Sequence, residues 1–357
     1  MLLGLLRSPI GFAMNSTVSP GMNVNESASP DLPCNQTLCG IKFKEYSIAL
    51  AVMYSITFIV SVTMNCLTLW PIILQVKQRN TLGIYLLSLA ISDLLYALTI
   101  PLWVIYYYND HQWKFGWITC HLSGFIFYSN VYISILLLCC ISIDRYLTIV
   151  YPMQSKKFRR PGMAIKVSLL IFLSVFALHL FIIFGTVLDK EPDMANLTCF
   201  EHIPLIKLVA VANYGRIFFG FLLPLLLMIF CYQRIFREIR KSSTLQKEKK
   251  AKVKQLSISV IVIFLVCFGP YHLILLFRSI NFSLMDCVCH FERQVLLYFS
   301  ISLAISSFNS ALDPILYVLV SKNATKDLKK SFATIGHRNF RKKSSNTSPT
   351  LISRVTF

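Results

Sequence analysis

Cys120–Pro152 reads CHLSGFIFYSNVYISILLLCCISIDRYLTIVYP, and the placing of its charges decides the architecture of the chain. From Leu122 to Ile143 no charged residue occurs, and the run closes on Asp144-Arg145-Tyr146. At about 1.5 Å per residue, a helix over a run of this length spans a hydrocarbon layer with some tilt. Cys120 then sits at one membrane face and Asp144-Arg145 at the other. An acid and a base at a membrane boundary are costly unless paired or hydrated, so they point to a functional site. Taken alone they mark the end of a helix equally well, and the rest of the chain must decide.

Of the 357 residues, 55% are apolar and 14% charged, and the mean hydropathy is +0.61. That is too apolar for a soluble protein and predicts one integral membrane domain with short tails. The net charge of +19 raises nucleic acid as a partner, but the charges fall between apolar runs on alternating sides, which is a membrane pattern and argues against nucleic acid. Seven runs are long enough to cross as helices: Tyr46 to Leu74, Leu82 to Tyr107, Trp117 to Val150, Met163 to Leu188, Leu208 to Ile235, Gln255 to Ile280 and Val295 to Val320. Lys77 and Arg79, then Lys156, Lys157, Arg159 and Arg160, then Arg234 to Lys254, then Lys322 to Lys343 all fall on one face. The excess of Lys and Arg makes that face cytoplasmic and puts the N-terminus outside, in a multi-pass protein of the cell membrane.

The reading divides the chain into an outer tail over 1–43, a bundle over 44–321, a short helix over 322–336 and an inner tail over 337–357. The outer tail is rich in Ser, Pro and Asn and reads as disordered. Met1 to Ile10 is apolar without a basic leader or a convincing cleavage site, and Met14 is an alternative start. Asn15, Asn25, Asn35 and Asn196 stand in glycosylation sequons on the predicted outer side. Leu328, Phe332 and Ile335 recur at helical spacing among Lys326, Lys329 and Lys330, which suits a helix on an anionic inner leaflet and suits a solvated basic tail equally. The Ser- and Thr-rich end is a phosphorylatable tail. The outer cysteines Cys34, Cys39, Cys120, Cys199, Cys287 and Cys289 show no zinc spacing and predict disulfides, whose connectivity does not follow from counting.

Within the apolar runs, Asn65, Asp93, Asn309 and Asp313 are polar, and Pro224, Pro270 and Pro314 interrupt helices. A lone ionised acid in a low dielectric is very unfavourable, so Asp93 and Asp313 need donors, a cation or a proton. Mid-span prolines bend helices and give hinges that packing can hold in more than one arrangement. The runs hold no serine–histidine–aspartate order, metal pair or phosphate loop, which argues against an enzyme. Neither the inverted broken helices of a transporter nor the polar stripes of a channel occur. A non-signalling membrane protein such as a lipid scramblase needs neither Asp144-Arg145 nor Asp313-Pro-x-x-Tyr317.

As a set, Asn65, Leu89 with Asp93, Cys120, Asp144-Arg145-Tyr146, Pro224 with Tyr232, Phe268 with Pro270, and Asp313-Pro314-Ile-Leu-Tyr317 resemble the rhodopsin-like G-protein-coupled receptors, over roughly residues 44–335. The resemblance implies an all-α seven-helix bundle with a short amphipathic eighth helix. It implies coupling to heterotrimeric G proteins, with arrestin and receptor kinases acting on the tail, and no catalytic residue. It implies a disulfide between Cys120 and Cys199, a switch of Arg145 with Tyr232 and Tyr317, and an internal sodium or proton site of Asp93, Asn130, Ser134, Asn309 and Asp313. No other cofactor and no further metal are expected. The chain departs from that pattern at Phe172, Phe268 and Asp313, and Lys250 stands where many relatives keep an acid against Arg145, so signalling without a ligand is expected.

Within that family the chain resembles the proton-sensing and lysolipid-related group. The resemblance is carried by residues 101 to 106, Asn109 and His111-Gln-Trp113, and by residues 134 to 142, 250 to 254 and 263 to 273. It implies a second disulfide, for which Cys39 and Cys289 match best, with Cys34 and Cys287 a possible further pair. Two stimuli compete. Histidine titrates near neutral pH, and His111, His121, His202 and His290 are predicted at the outer face, where histidines are also ordinary. Proton sensors of the group have a glutamate where Val175 stands and a histidine where Ser300 stands, and Asn109 and Asp110 take the place of their loop histidines, which weakens a proton stimulus. Asp93 and Asp313 fit proton sensing and a sodium site equally. Arg216, with His179, Tyr128, Tyr132, Tyr271, His272 and Arg278 in register, favours an anionic lipid, because an unpaired guanidinium in an apolar bundle wants a carboxylate or phosphate. The competing reading satisfies Arg216 with tyrosine hydroxyls and backbone. One similar receptor of the group is associated with oxidised fatty acids, lysophospholipids and N-acyl amino acids.

Overall fold

Each apolar run forms helix because a backbone in hydrocarbon must satisfy its own donors and acceptors. The computed structural model describes residues 46–157, 159–188, 199, 205–241, 247–284 and 289–320. Their helices are α1 (Ser47–Lys77), α2 (Thr81–Ala97), α3 (Ile100–Tyr108), α4 (Trp117–Val150), α5 (Pro161–Leu188), α6 (Lys207–Ile217), α7 (Leu223–Lys241), α8 (Lys247–Leu284), α9 (Cys289–Ser307) and α10 (Asn309–Val320). They make seven helical spans long and apolar enough to cross a membrane, with α2–α3, α6–α7 and α9–α10 each forming one. The outer tail, the four sequons, the short helix over 322–336 and the inner tail lie outside the described residues.

The third span is the axis. In its most apolar window 78% of residues are buried inside the bundle, against 28% for the fourth span and 22% for the fifth. α4 packs on α2, α5, α7 and α8, while the fourth and fifth spans turn Leu169, Leu173, Phe181, Phe219 and Leu226 outward. Such outward apolar faces belong against lipid tails. α7 and α8 run past the predicted ends Ile235 and Gln255 into Lys241 and Lys247. Hydropathy stops at the first charges, whereas Lys, Arg and Glu are good helix formers and carry the helices on into water.

Prolines set the breaks. α2 gives way to α3 around Leu98, where Thr99 bonds back to the Tyr96 carbonyl through both N–H and hydroxyl at 2.8 Å, and Pro101 opens the next helix. In the fifth span a wide π turn, Phe218–Leu222, precedes Pro224. A proline has no N–H to give the carbonyl four residues back, and a π turn absorbs that loss. Gly220 lies in this turn because Tyr132 is close: a Cβ there would meet the tyrosine ring at 2.5 Å. Pro314 likewise leaves the Ser310 carbonyl without a helical donor. Asn65 on α1 supplies one from Nδ2 at 2.8 Å, and Ser61 adds its hydroxyl at 3.3 Å. A helix break is thus converted into a crosslink between the first and seventh spans.

One disulfide forms among the described residues. Cys120 at the head of α4 joins Cys199, with 5.6 Å between Cα atoms, as the resemblance implied. The Cys199 N–H points to the Tyr106 hydroxyl at 3.4 Å. The proposed partner bridge of Cys39 and Cys289, and its alternative through Cys34 and Cys287, lie outside the described side chains.

Candidate functional site

Three polar clusters sit on this scaffold, at the outer end, the middle and the inner end of the bundle. The outer one is a cleft walled by Tyr128 from α4, His179 from α5, Asn213 and Arg216 from α6, Tyr271 and Arg278 from α8 and Phe299 from α9, with Ile182, Val209 and Leu275 completing it. Five of the seven residues assigned to a ligand in the sequence therefore meet. Tyr132 and His272 do not line the cleft. Tyr132 is one turn deeper than Tyr128 on the same helix, and His272, one residue beyond Tyr271, is rotated about 100° away. His272 is packed face to face on Phe221, with ring centroids 4.6 Å apart, and its Nδ1 donates to the Phe268 carbonyl at 2.8 Å.

The electrostatics of the cleft centre on Arg216. Its Nη1 donates to Asn213 Oδ1 at 3.1 Å, one turn back on the same helix, and its guanidinium lies 5.4 Å from the centroid of the Tyr128 ring. Its Nε has no hydrogen-bond partner, and neither the Tyr132 nor the Tyr271 hydroxyl bonds to it. The reading in which tyrosines satisfy Arg216 is therefore not what the structure shows. His179 gives its Nδ1 proton to the Val175 carbonyl at 2.9 Å, which leaves Nε2 as a buried acceptor without a partner. A guanidinium, an imidazole acceptor and apolar walls suit an amphiphile with an anionic end.

Arg278 is a correction. It lines the cleft, but its Nε donates to both carboxylate oxygens of Glu292, at 3.1 and 2.9 Å, and Nη2 reaches Oε2 at 2.7 Å. The guanidinium also lies 4.5 Å from the centroid of Phe299. It is already neutralised. Sequence reasoning missed Glu292, although it is the acid just ahead of the seventh run and a buried arginine needs one. Asn213 was missed as well, although i and i+3 spacing on a helix pairs it with Arg216.

The histidines are scattered. His111 is 1% exposed, not at the surface as predicted, and stands edge-on to Tyr46, Tyr106 and Tyr107 with centroids 5.8, 5.2 and 4.9 Å away. Asp110 and His111 adopt φ of 51° and 62° at the end of α3, folding His111 back so that its N–H meets the Tyr106 carbonyl at 3.1 Å. His121 lies against Trp117, with ring centroids 4.2 Å apart and planes tilted by 37°. His202 and the side chain of His290 lie outside the described residues.

In the middle, the residues assigned to a sodium or proton site come together. Asn130 Nδ2 donates to Asp93 Oδ1 and to Ser92 Oγ, both at 3.0 Å. Asn309, with its amide nitrogen turned to Asp313, donates to Oδ2 at 2.6 Å and Oδ1 at 3.3 Å while its oxygen accepts from Ser134 at 3.3 Å. Asp93 Oδ2 has no hydrogen-bond partner, and both acids are buried. Hard oxygen ligands of this kind suit a small cation, and a shared proton suits them too.

At the inner end the expected partners differ. Asp144 takes Arg159 rather than its neighbour Arg145, with Nε at 2.9 Å and Nη2 at 3.3 Å. The Tyr232 hydroxyl is bonded to Ser142 at 2.7 Å, not to Arg145. The Arg145 Nε, by contrast, is buried without a partner. Tyr146 packs against Phe230 at 5.8 Å, while Phe268 and Tyr317 are wholly buried. The expected triad of Arg145, Tyr232 and Tyr317 is therefore not bonded together in this conformation. The inner loop supplies Arg159 instead, 15 residues on from Asp144 and outside any helical spacing.

Known proteins are similar to this chain in sequence. A family model described as "7 transmembrane receptor (rhodopsin family)" matches residues 64–317. The human "Probable G-protein coupled receptor 132" is 40% identical over 317 residues, 88% of this chain and 80% of that protein. The mouse "G-protein coupled receptor 68" is 37% identical over 290 residues, 81% of this chain and 78% of that protein. The mouse "Lysophosphatidic acid receptor 6" is 32% identical over 282 residues, 78% of this chain and 82% of that protein.

Proposed function

Since the chain belongs to the rhodopsin family of seven-transmembrane receptors, in the lysolipid and proton-sensing group, we propose that it carries an extracellular anionic-lipid signal to heterotrimeric G proteins. The classes in view are an oxidised fatty acid, a lysophospholipid or an N-acyl amino acid. The N-terminus faces outward in this reading, and arrestin and receptor kinases act on the inner tail. The single supporting observation is Arg216, a cation inside a cleft of aromatic and aliphatic side chains whose one hydrogen bond goes to an amide of its own helix. One relative is named for lysophosphatidic acid, itself an anionic lipid. Asp93, Asn130, Ser134, Asn309 and Asp313 would hold an internal sodium ion, and their role would be to bias the helices they join.

The test is nucleotide exchange on purified G proteins at neutral pH, with a long-chain hydroxy fatty acid set against its methyl ester. The free acid is expected to be at least about 30-fold more potent, the value of one buried charge contact of about 2 kcal/mol. Equal potency would remove the proposal. A second reading, in which protons are the stimulus, is favoured by the buried acids Asp93 and Asp313 and by His111 in its ring of tyrosines. It predicts exchange on acidification alone.

The inner end supplies a further prediction. Arg159 competes with Arg145 for Asp144, and a freed Asp144 would turn to Arg145 and hold it. Arg159→Ala is thus expected to lower ligand-independent exchange about 3- to 10-fold, as suits a partly exposed pair worth about 1 kcal/mol. Unchanged or raised basal exchange would show that Arg159 does not set the state of Arg145.

A further inference from the structure

The outer cleft carries an odd balance of charge. Among the described residues it has two guanidiniums, Arg216 and Arg278, but one carboxylate within reach, and that carboxylate belongs to Arg278 alone. Glu292 is not on the wall of the cleft. It stands behind Arg278, its side chain 2% exposed against 5% for the arginine, and grips it through both oxygens. A buried bidentate pair of this kind is hard to open, because separating it leaves two desolvated charges. Among the described residues, a ligand entering the cleft therefore meets one uncompensated positive charge, at Arg216, and a second guanidinium whose charge is already cancelled.

We propose that Glu292 is a built-in counter-anion which saturates Arg278 and so restricts the cleft to headgroups with a single negative charge. The inference rests on the anionic-lipid reading and narrows it. A carboxylate or a phosphodiester brings one charge and is matched by Arg216. A phosphate monoester carries between about 1.5 and 2 negative charges near neutral pH, and its second charge would be desolvated beside a carboxylate instead of a free cation. Specificity of this sort arises from what a site repels as much as from what it attracts. In this role Glu292 is a positioning residue, acting on the headgroup through Arg278.

A merely structural role, bracing α8 against α9, predicts loss of expression or of all responses together. The proposed role predicts a change in the ratio of two responses. The measurement is G-protein nucleotide exchange driven by a long-chain fatty acid and by a phosphate monoester bearing the same acyl chain, in the full-length receptor. The unaltered receptor is expected to favour the carboxylate at least tenfold. Glu292→Gln, which removes the charge and keeps the shape, is expected to shift that ratio at least tenfold toward the phosphate monoester. Arg278→Gln combined with Glu292→Gln removes both charges and should restore the original preference. An unaltered receptor that answers the two lipids equally overturns the inference even if no variant reaches the surface. So does Glu292→Gln with an unshifted ratio. An unaltered receptor deaf to both lipids overturns the anionic-lipid reading itself, and the inference with it.

Discussion

Arg216→Ala is expected to raise the concentration of anionic lipid needed for half-maximal exchange by at least about 30-fold, and to leave surface expression close to that of the unaltered receptor. The magnitude follows from truncating one partner of a buried charge contact, which costs about 2 to 5 kcal/mol, or a tenfold change for every 1.4 kcal/mol. Expression should survive because Arg216 gives the fold little. Its hydrogen bond stays within its own helix, and its stacking on Tyr128 is at 5.4 Å. Lysine at this position keeps the charge but lacks the planar fork that grips a carboxylate by two parallel bonds, so Arg216→Lys should fall between the two. Radioligand or fluorescence counting of surface receptor beside the dose response separates lost recognition from lost protein. An unchanged dose response in Arg216→Ala would discard the cleft as the lipid site.

The second large effect is expected at the disulfide. Cys199→Ser should lower the thermal midpoint of detergent-solubilised receptor by about 5 °C or more and weaken the lipid response by at least about tenfold. Closing a loop over the 79-residue separation of Cys120 and Cys199 is worth about 4.5 kcal/mol for a free chain. Here both ends of that segment are already tethered by membrane helices, so about 2 kcal/mol is the more realistic stabilisation, and about 2–4 °C accompanies each kcal/mol in a domain of this size. The functional part has its own cause. Cys199 is buried and lines a second small cleft with Trp103, Tyr107 and Tyr128, so the bridge fixes Cys199 against Tyr128, the ring over which Arg216 lies. A midpoint and a lipid response both equal to those of the unaltered receptor would show that the bridge contributes neither to stability nor to the lipid site.

The bundle was legible because the bilayer imposes one rule on every span, and a run such as Leu122 to Ile143 has no other way to satisfy its backbone. The breaks were partly legible. Pro314 announced a freed carbonyl, but that Asn65 would fill it at 2.8 Å depends on how α1 and α10 are set side by side. Site residues at one-turn spacing on a single helix were easy to group, and the errors came where side chains from different helices compete. Arg278 was placed in register with the ligand residues, and that α9 would bring Glu292 to it is set by how α8 and α9 pack. His111 read as a surface histidine because two consecutive residues in the left-handed region, neither of them glycine, are rare, and that turn is what tucks the ring among Tyr46, Tyr106 and Tyr107. Asp144 takes its partner from the inner loop, Arg159 at 2.9 Å and 15 residues further on, a separation that carries no helical spacing.

The most direct test of a lipid-driven receptor is one titration in two dimensions, with outer pH and the concentration of a long-chain anionic lipid varied together while exchange on purified G proteins is followed. The account predicts a lipid-dependent rise at neutral pH, lost in Arg216→Ala, with acid alone giving no more than the basal rate. Full exchange on acidification without lipid, unchanged in Arg216→Ala, would contradict it.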